Sequence, residues 1–399
     1  MPAASNPGNN GSLRVAVIGG GIVGLSCALE LKQRGADVAV YDRGAELGAG
    51  VTIRAAGMLG AAFEWALEAD QMALAALAHQ AGEIWPEFAA KLERLGGGPV
   101  EYSTEGAIVV ARTASETGWL EGLAAACQAR GLPVKRLSAT DIKREERALV
   151  GSTLGGLLLP GDRQVDPAIV LQRLGAALKR VGVGLRLGRV VEKVIAGPGF
   201  QMPDGEKFDR VVLATGAGPI PKFASREGDP FDPALPEIVP VKGQMLALAP
   251  MEGGPRHVVH TRDVYVAPKS RWTLVGATVE RGKADTTVDR DKVEELRARA
   301  AELMPVLGRA PEVSAWAGVR PGTPDDAPLI GETGVAGVFA ALGHYRNGVL
   351  FAPATAGIVA DQVFDGKVSP LARAFEIRRF DKLDEARHSR SAQGVAKTR

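Results

Sequence analysis

RVAVIGGGIVGLSCALELKQRGADVAVYDRG, residues Arg14 to Gly44, reads as one β-α-β unit. "RVAVIGG" is short and β-branched, "IVGLSCALELKQRG" has helical character with a glycine stop, and "ADVAVYDRG" is a second strand. Such a unit requires parallel strands and a right-handed crossover. Gly19, Gly21 and Gly24 stand in the G-x-G-x-x-G spacing, with Ile22 and Val23 opening the helix. The first glycine makes the turn, the second lets backbone approach a pyrophosphate, and the third lets helix and strand pack. Asp42, followed by Arg43, closes the second strand eighteen residues after Gly24, where a carboxylate accepts ribose hydroxyls. An acid at that strand end disfavours a 2′-phosphate, so NADP is not expected.

The 399 residues suffice for two lobes with real cores. Forty-eight basic against 46 acidic residues leave a charge of +2, which implies neither a nucleic-acid stripe nor a membrane-surface patch. Apolar runs such as "GGLLLP" are far shorter than the roughly 20 residues of a membrane span. "MPAASNPGNNGS" lacks the basic and apolar regions of a signal peptide and is expected to be a frayed tail, in a cytoplasmic protein. The charged segment from Asp384 onward is expected to be disordered. Cys27 and Cys127 form no metal or disulfide framework.

From Ala61 to Leu95 the chain is helical in spacing, with an expected break at Pro86. Asp166 and Pro167 form a cap and first turn for "AIVLQRLGAALKRVG". Strand-rich text follows: "GLRLGRVVEKV", "KFDRVVLATG", "VKGQMLALAP", "DVYVAP" and "RWTLVGAT". Helix and strand alternate near both ends around a strand-rich middle. The expected fold is α/β (α+β overall), a Rossmann-like dinucleotide-binding domain interleaved with a substrate domain on a mostly antiparallel sheet. Residues 1–92, 160–225 and 318–399 would build the first and residues 93–159 and 226–317 the second. Thr215 and Gly216, at the end of "DRVVLATGAG", are placed beneath the phosphates, an arrangement that favours one extended FAD over NAD.

"GHYRNGVLFAPATAG" carries Arg346 at a strand end just before a helix start. Neither flanking run supplies it an acidic partner. A fixed cation and free backbone N–H groups at such a place favour an anion.

"RAAGMLGAAFEW", "VKGQ", "AWAGVRPGTPDDAPLIG" and "GHYRNGVLFAPATAG", in order between Val15 and Asp361, resemble the D-amino-acid oxidase family of flavoproteins, in its glycine-oxidising branch. The resemblance implies FAD held non-covalently, with Gly57 and Met58 beside the isoalloxazine and Val191 on the adenine side. His344 would adjoin the flavin, and Arg346, Asn347, Gly348, Val349 and Leu350 would present backbone N–H groups to its pyrimidine edge. Arg320 matches the carboxylate-binding arginine of the family and Tyr265 its hydroxyl partner. Arg346 is expected beside the reducing flavin and the substrate carboxylate.

The implied activity is oxidative deamination of glycine, sarcosine or a small D-amino acid. Hydride passes to flavin and molecular oxygen returns it as hydrogen peroxide, with a role in supplying the thiazole ring of thiamine. Two rivals remain: a dehydrogenase of the same fold for D-amino acids or secondary amines, and an FAD-binding scaffold. Asp263 stands where relatives often carry histidine and Val279 where a methionine is expected, which loosens the assignment of glycine itself. His260 reads as a packed core histidine. No metal is expected, and self-association is left open.

Overall fold

The computed structural model describes residues 12–68, 71–149 and 153–380. Both expected tails, at the N-terminus and from Asp384, lie outside them. The opening unit folds as β1 (Arg14–Ile18), α1 (Ile22–Gln33) and β2 (Asp37–Asp42), with β1 and β2 parallel and in register from Arg14↔Asp37 to Ile18↔Tyr41.

Around it lies a six-stranded sheet in the order Leu329–Glu332, Val338–Leu342, Arg210–Leu213, β1, β2, Gly184–Leu187. Only the Leu329–Glu332 hairpin is antiparallel. Burial on both faces explains the near-continuous valine and alanine runs. On one face α1 and the helices Met72–Gly96, Pro167–Arg180 and Gly348–Asp365 share a core built on Leu25, Leu77, Trp85, Leu174 and Phe351. On the other, a small sheet of Lys193–Ala196, Phe200–Gln201, Lys207–Phe208 and Lys222–Ala224 packs Phe200, Phe208 and Phe223 against Ile18 and Tyr41.

Pro86 does not break its helix. Met72–Gly96 is continuous through it, and the interruption falls earlier, between Ala61–Leu67 and Met72. Burial of Leu77, Ala81, Trp85, Phe88 and Leu92 along one face outweighs the hydrogen bond that proline removes. Asp166 caps Pro167–Arg180 as its residue type predicts, accepting from the N–H groups of Ala168 and Ile169.

The second sheet has nine strands, mostly antiparallel. Its centre is Val239–Leu248, paired along its whole length with Glu312–Gly322 and, on the opposite edge, with Thr273–Gly276 and Glu280–Arg281. Tyr265–Pro268, Val258–His260, Ala107–Ala111, Gly155–Leu159 and Lys135–Leu137 follow in turn. The expected boundary between residues 317 and 318 therefore falls inside a strand of this sheet. Among the described residues no helix is long and apolar enough to cross a membrane.

Candidate active site

The dinucleotide cradle is dictated by what side chains cannot occupy. A Cβ at Gly19 (φ +121°) would lie 2.1 Å from the Ala214 carbonyl oxygen, and one at Gly24 would lie 2.0 Å from that of Gly19. These two glycines let β1, α1 and the Arg210–Leu213 strand close on one another. Gly21 differs: a Cβ there would meet only Thr52 Oγ1, at 3.5 Å, so it faces open space at the start of α1. Of the first-turn N–H groups, that of Ile22 donates to Thr52 Oγ1 at 3.3 Å, and Gly21 supplies no side-chain cap. Asp42 accepts from Gly20 N at 2.5 Å and Gly44 N at 2.7 Å, which fixes its carboxylate at the rim. Arg43 is exposed beside Gly218, and Thr215 Oγ1 donates to Gly218 O at 3.4 Å in the turn that Gly216 (φ +61°) makes. Val191 is buried next to Ile18 and Tyr41. A helix start with open space at Gly21 and a carboxylate held at the end of the next strand fit the pyrophosphate and ribose of FAD.

Further along the cleft, Gly57 has φ +72°, and its backbone presses on Val165: Val165 N donates to Gly57 O at 2.9 Å. Met58 pairs with Gln164 in a two-residue ladder. Lys269 Nζ locks that ladder by donating to Gln164 Oε1 at 2.7 Å and Val165 O at 2.8 Å, and burial pushes its ammonium down to about 7. The helix Gly348–Asp365 starts at Asn347, leaving the N–H groups of Gly348, Val349 and Leu350 in its unpaired first turn, while Trp85 Nε1 donates to Leu350 O at 2.9 Å.

Arg320 and Tyr265 both lie on the second sheet. Arg320 is half-buried; it donates through an NH1 group to Thr278 O at 3.1 Å and has no carboxylate partner among the described residues. Its charge is felt by the Tyr265 hydroxyl, which burial raises and Arg320 lowers. Tyr265 lies directly across from His260, whose ring stacks on Phe63 at 4.1 Å and 20°. Burial pushes His260 down to about 4, so it is neutral at ordinary pH.

Two of the expected residues have partners within the chain. The anions beside Arg346 are side chains: its guanidinium donates to Glu64 Oε2 at 3.2 and 3.0 Å and to Glu68 Oε1 at 2.6 Å, while Asn347 Nδ2 reaches the same Glu64 oxygen at 2.9 Å. Both acids come from the segment after Ala61, far away in sequence. His344 is turned inward, its Nε2 2.9 Å from Thr355 Oγ1, and burial pushes it down to about 3. Its imidazole fastens the turn to the helix.

Other contributors went unread in the sequence. Asp162 is buried and accepts from Ala62 N at 2.8 Å and Phe63 N at 3.3 Å, pinning the short helix that carries Phe63 and Glu64. Glu64 lies on that helix and Glu68 at its C-cap, two like charges four residues apart. Among the described residues no cluster of histidine, cysteine or carboxylate side chains could hold a metal ion.

Comparison with known proteins agrees with this architecture. The sequence model of the family described as "DAO: FAD dependent oxidoreductase" matches residues 14–362. The chain is 33% identical to a glycine oxidase of Geobacillus kaustophilus over 88% of its own length and 92% of that protein's. It is 31% identical to a bifunctional protein ThiO/ThiG of Trichormus variabilis, covering 92% of this chain and 55% of that one. The crystal structure of glycine oxidase from Geobacillus kaustophilus superposes with a TM-score of 0.81 at 31% identity, over 92% of this chain and 99% of that one. With its G-x-G-x-x-G cradle, two-sheet architecture and matched length, this chain belongs to the DAO family of FAD-dependent oxidoreductases.

Proposed function

We propose that the chain oxidises glycine or another small amino acid, with FAD held non-covalently and molecular oxygen as the electron acceptor. The observation that carries the substrate class is Arg320: a half-buried guanidinium held by one carbonyl, beside a buried tyrosine hydroxyl, with no acid of its own. Such a fork is built for a carboxylate from outside.

Arg320 grips both carboxylate oxygens and Tyr265 adds a hydroxyl donor, so the substrate is fixed by the end that does not react. Phe63 and His260 form an apolar, uncharged wall near Tyr265 and keep water from that flank. A neutral His260 is no ready proton store, and the chain supplies position rather than a strong base. The amine must then arrive neutral. Bound FAD supplies the hydride acceptor and, once reduced, the reaction with oxygen that yields hydrogen peroxide. The imine is released and hydrolysed to a 2-oxo acid and ammonia. Similarity to proteins named ThiO/ThiG supports the reading that a glycine imine also feeds thiazole assembly.

Gly57, Met58, Val191, Thr215, Gly216 and the turn from Arg346 to Leu350 contact FAD in this reading. Arg346 and Asn347 act through Glu64 to hold that turn, and the substrate carboxylate falls to Arg320. A cytoplasmic location is consistent with it. Purified holoenzyme offered glycine, sarcosine and D-alanine in air should form peroxide in step with imine-derived product. Turnover only with a quinone or dye would make it a dehydrogenase.

A further inference from the structure

We propose that Glu280 is a positioning residue for the substrate carboxylate, holding Thr278 so that its carbonyl fixes the Arg320 fork. The inference rests on the reading of Arg320 as the carboxylate clamp.

An arginine side chain has four rotatable bonds, and a clamp works only if its fork is oriented before substrate arrives. In this structure one acceptor, Thr278 O, orients it. Thr278 lies in the linker Ala277–Val279, which runs between the strands Thr273–Gly276 and Glu280–Arg281 outside their ladders, with Val279 exposed. The main-chain tie of Thr278 is a long one, from its N–H to Gln244 O at 3.3 Å. Its hydroxyl supplies what the ladder does not. Thr278 Oγ1 accepts from Gln244 N at 2.9 Å and donates to Glu280 Oε1 at 3.0 Å.

Glu280 is the hub of that arrangement. Its Oε1 also accepts from Gln244 Nε2 at 2.8 Å, and its Oε2 accepts from Lys292 at 2.6 Å and Lys283 at 2.9 Å. Gln244, fully buried, completes the cage by accepting from Asp289 N at 2.7 Å, at the cap of the helix that carries Lys292. Burial works against ionisation of Glu280. The bonds from Lys292, Gln244, Lys283 and Thr278 nonetheless hold its carboxyl well below the ordinary range. Those donors favour the charged form of the carboxylate. A glutamine in its place would present an amide N–H₂ to one of these donors and leave two ammonium groups without their anion.

The test compares holoenzyme variants Arg320→Lys, Glu280→Gln, Thr278→Val and Thr278→Ser by calorimetric titration with glycolate, alongside glycine kinetics, flavin content and melting temperature. Glu280→Gln and Thr278→Val should each weaken glycolate and raise KM about five- to tenfold, the effect of one lost hydrogen bond. Their kcat should stay within about twofold of the parent, as expected when a binding contact is lost. Flavin content should be unchanged, and Thr278→Ser, which keeps the hydroxyl, should recover most of the lost affinity. If Arg320→Lys weakens glycolate while Glu280→Gln and Thr278→Val bind it like the parent, or lose kcat with KM unmoved, the role of Glu280 is wrong. If Arg320→Lys itself binds glycolate like the parent, the clamp reading has failed first.

Discussion

The guanidinium of Arg320 lies flat against the backbone of Gly243, so close that a Cβ there would sit 2.3 Å from both terminal nitrogens. Val239–Leu248 and Glu312–Gly322 pair with Val241 opposite Arg320 and Gly243 opposite Gly318, which puts the arginine diagonally across from the glycine. Glycine in "VKGQ" is thus a space requirement. Gly243→Ala should lift the fork off the sheet and weaken glycolate on the order of tenfold, within the range of one misplaced charge-assisted contact. Arg320→Lys should cost more, roughly 10- to 150-fold for a charge-assisted bond and its planar fork. Titration calorimetry on both holoenzymes checks the order. Unchanged binding in Gly243→Ala would mean that the fork does not need that space.

Arg346 and Glu64 hold the turn before Gly348–Asp365 from outside. Arg346 is partly exposed, so the ion pair itself contributes little to stability. Its value lies in tying Asn347 and the start of Gly348–Asp365 to the helix Ala61–Leu67. Glu64→Gln should loosen FAD, raising its dissociation constant about three- to tenfold in fluorescence titration of apoprotein, the worth of one hydrogen bond. Glycolate binding at saturating FAD should be nearly that of the parent. Loss of glycolate binding with FAD affinity intact would return Arg346 to the substrate.

Gly21 and Gly24 separate cofactor from fold. Gly21→Val places its side chain in open space, in a backbone conformation (φ −77°, ψ 175°) that valine adopts freely. The variant should fold and melt near the parent apoprotein but retain no FAD. Gly24→Ala drives a methyl into the Gly19 carbonyl and should lower the melting temperature even without cofactor. Normal flavin content in Gly21→Val would displace the pyrophosphate from this cradle.

The β-α-β unit, its glycines and Asp42 were legible because backbone close approach leaves a residue-type signature that short spacing preserves. The doubly buried strands were legible from valine runs, and Asp166 from its place before Pro167. Partners brought together by long loops were not legible. Arg346 looked anion-seeking because Glu64 lies 282 positions away, and nothing in the sequence named Thr355 as the partner of His344. Pro86 looked like a break because local propensity was weighed without the buried face that overrides it. Glu280 left no trace, since "GATVERG" shows neither its burial nor Gln244 and Lys292, which meet it from other elements.

Asp162 should give the protein a specific pH signature. Burial raises its carboxyl from 3.8 to about 7, against the pull of the Ala62 and Phe63 N–H groups. The folded state thus favours the protonated form. That contribution is complete below about pH 4 and is lost as pH rises through 7. Asp162→Asn keeps the shape and cannot ionise. The melting temperature of the parent minus that of Asp162→Asn should therefore fall by several degrees from pH 4 to 7 and then level off. His260 and His344 lose stability toward acid in the same region, but both proteins carry them, so the difference cancels their effect. A difference that is flat or rises with pH contradicts the assignment.

The central claim is that this chain couples a carboxylate-gripping pocket to FAD for the oxidation of a small amino acid. Anaerobic mixing of the purified holoenzyme with glycine, sarcosine or D-alanine tests it most directly. At least one of them should abolish the oxidised-flavin absorbance in a single turnover. Admitting air should restore that absorbance with one hydrogen peroxide formed per flavin, and Arg320→Lys should need far more substrate for the same bleaching. A flavin that stays oxidised with all three substrates, or that bleaches at the same concentrations in Arg320→Lys, would contradict it.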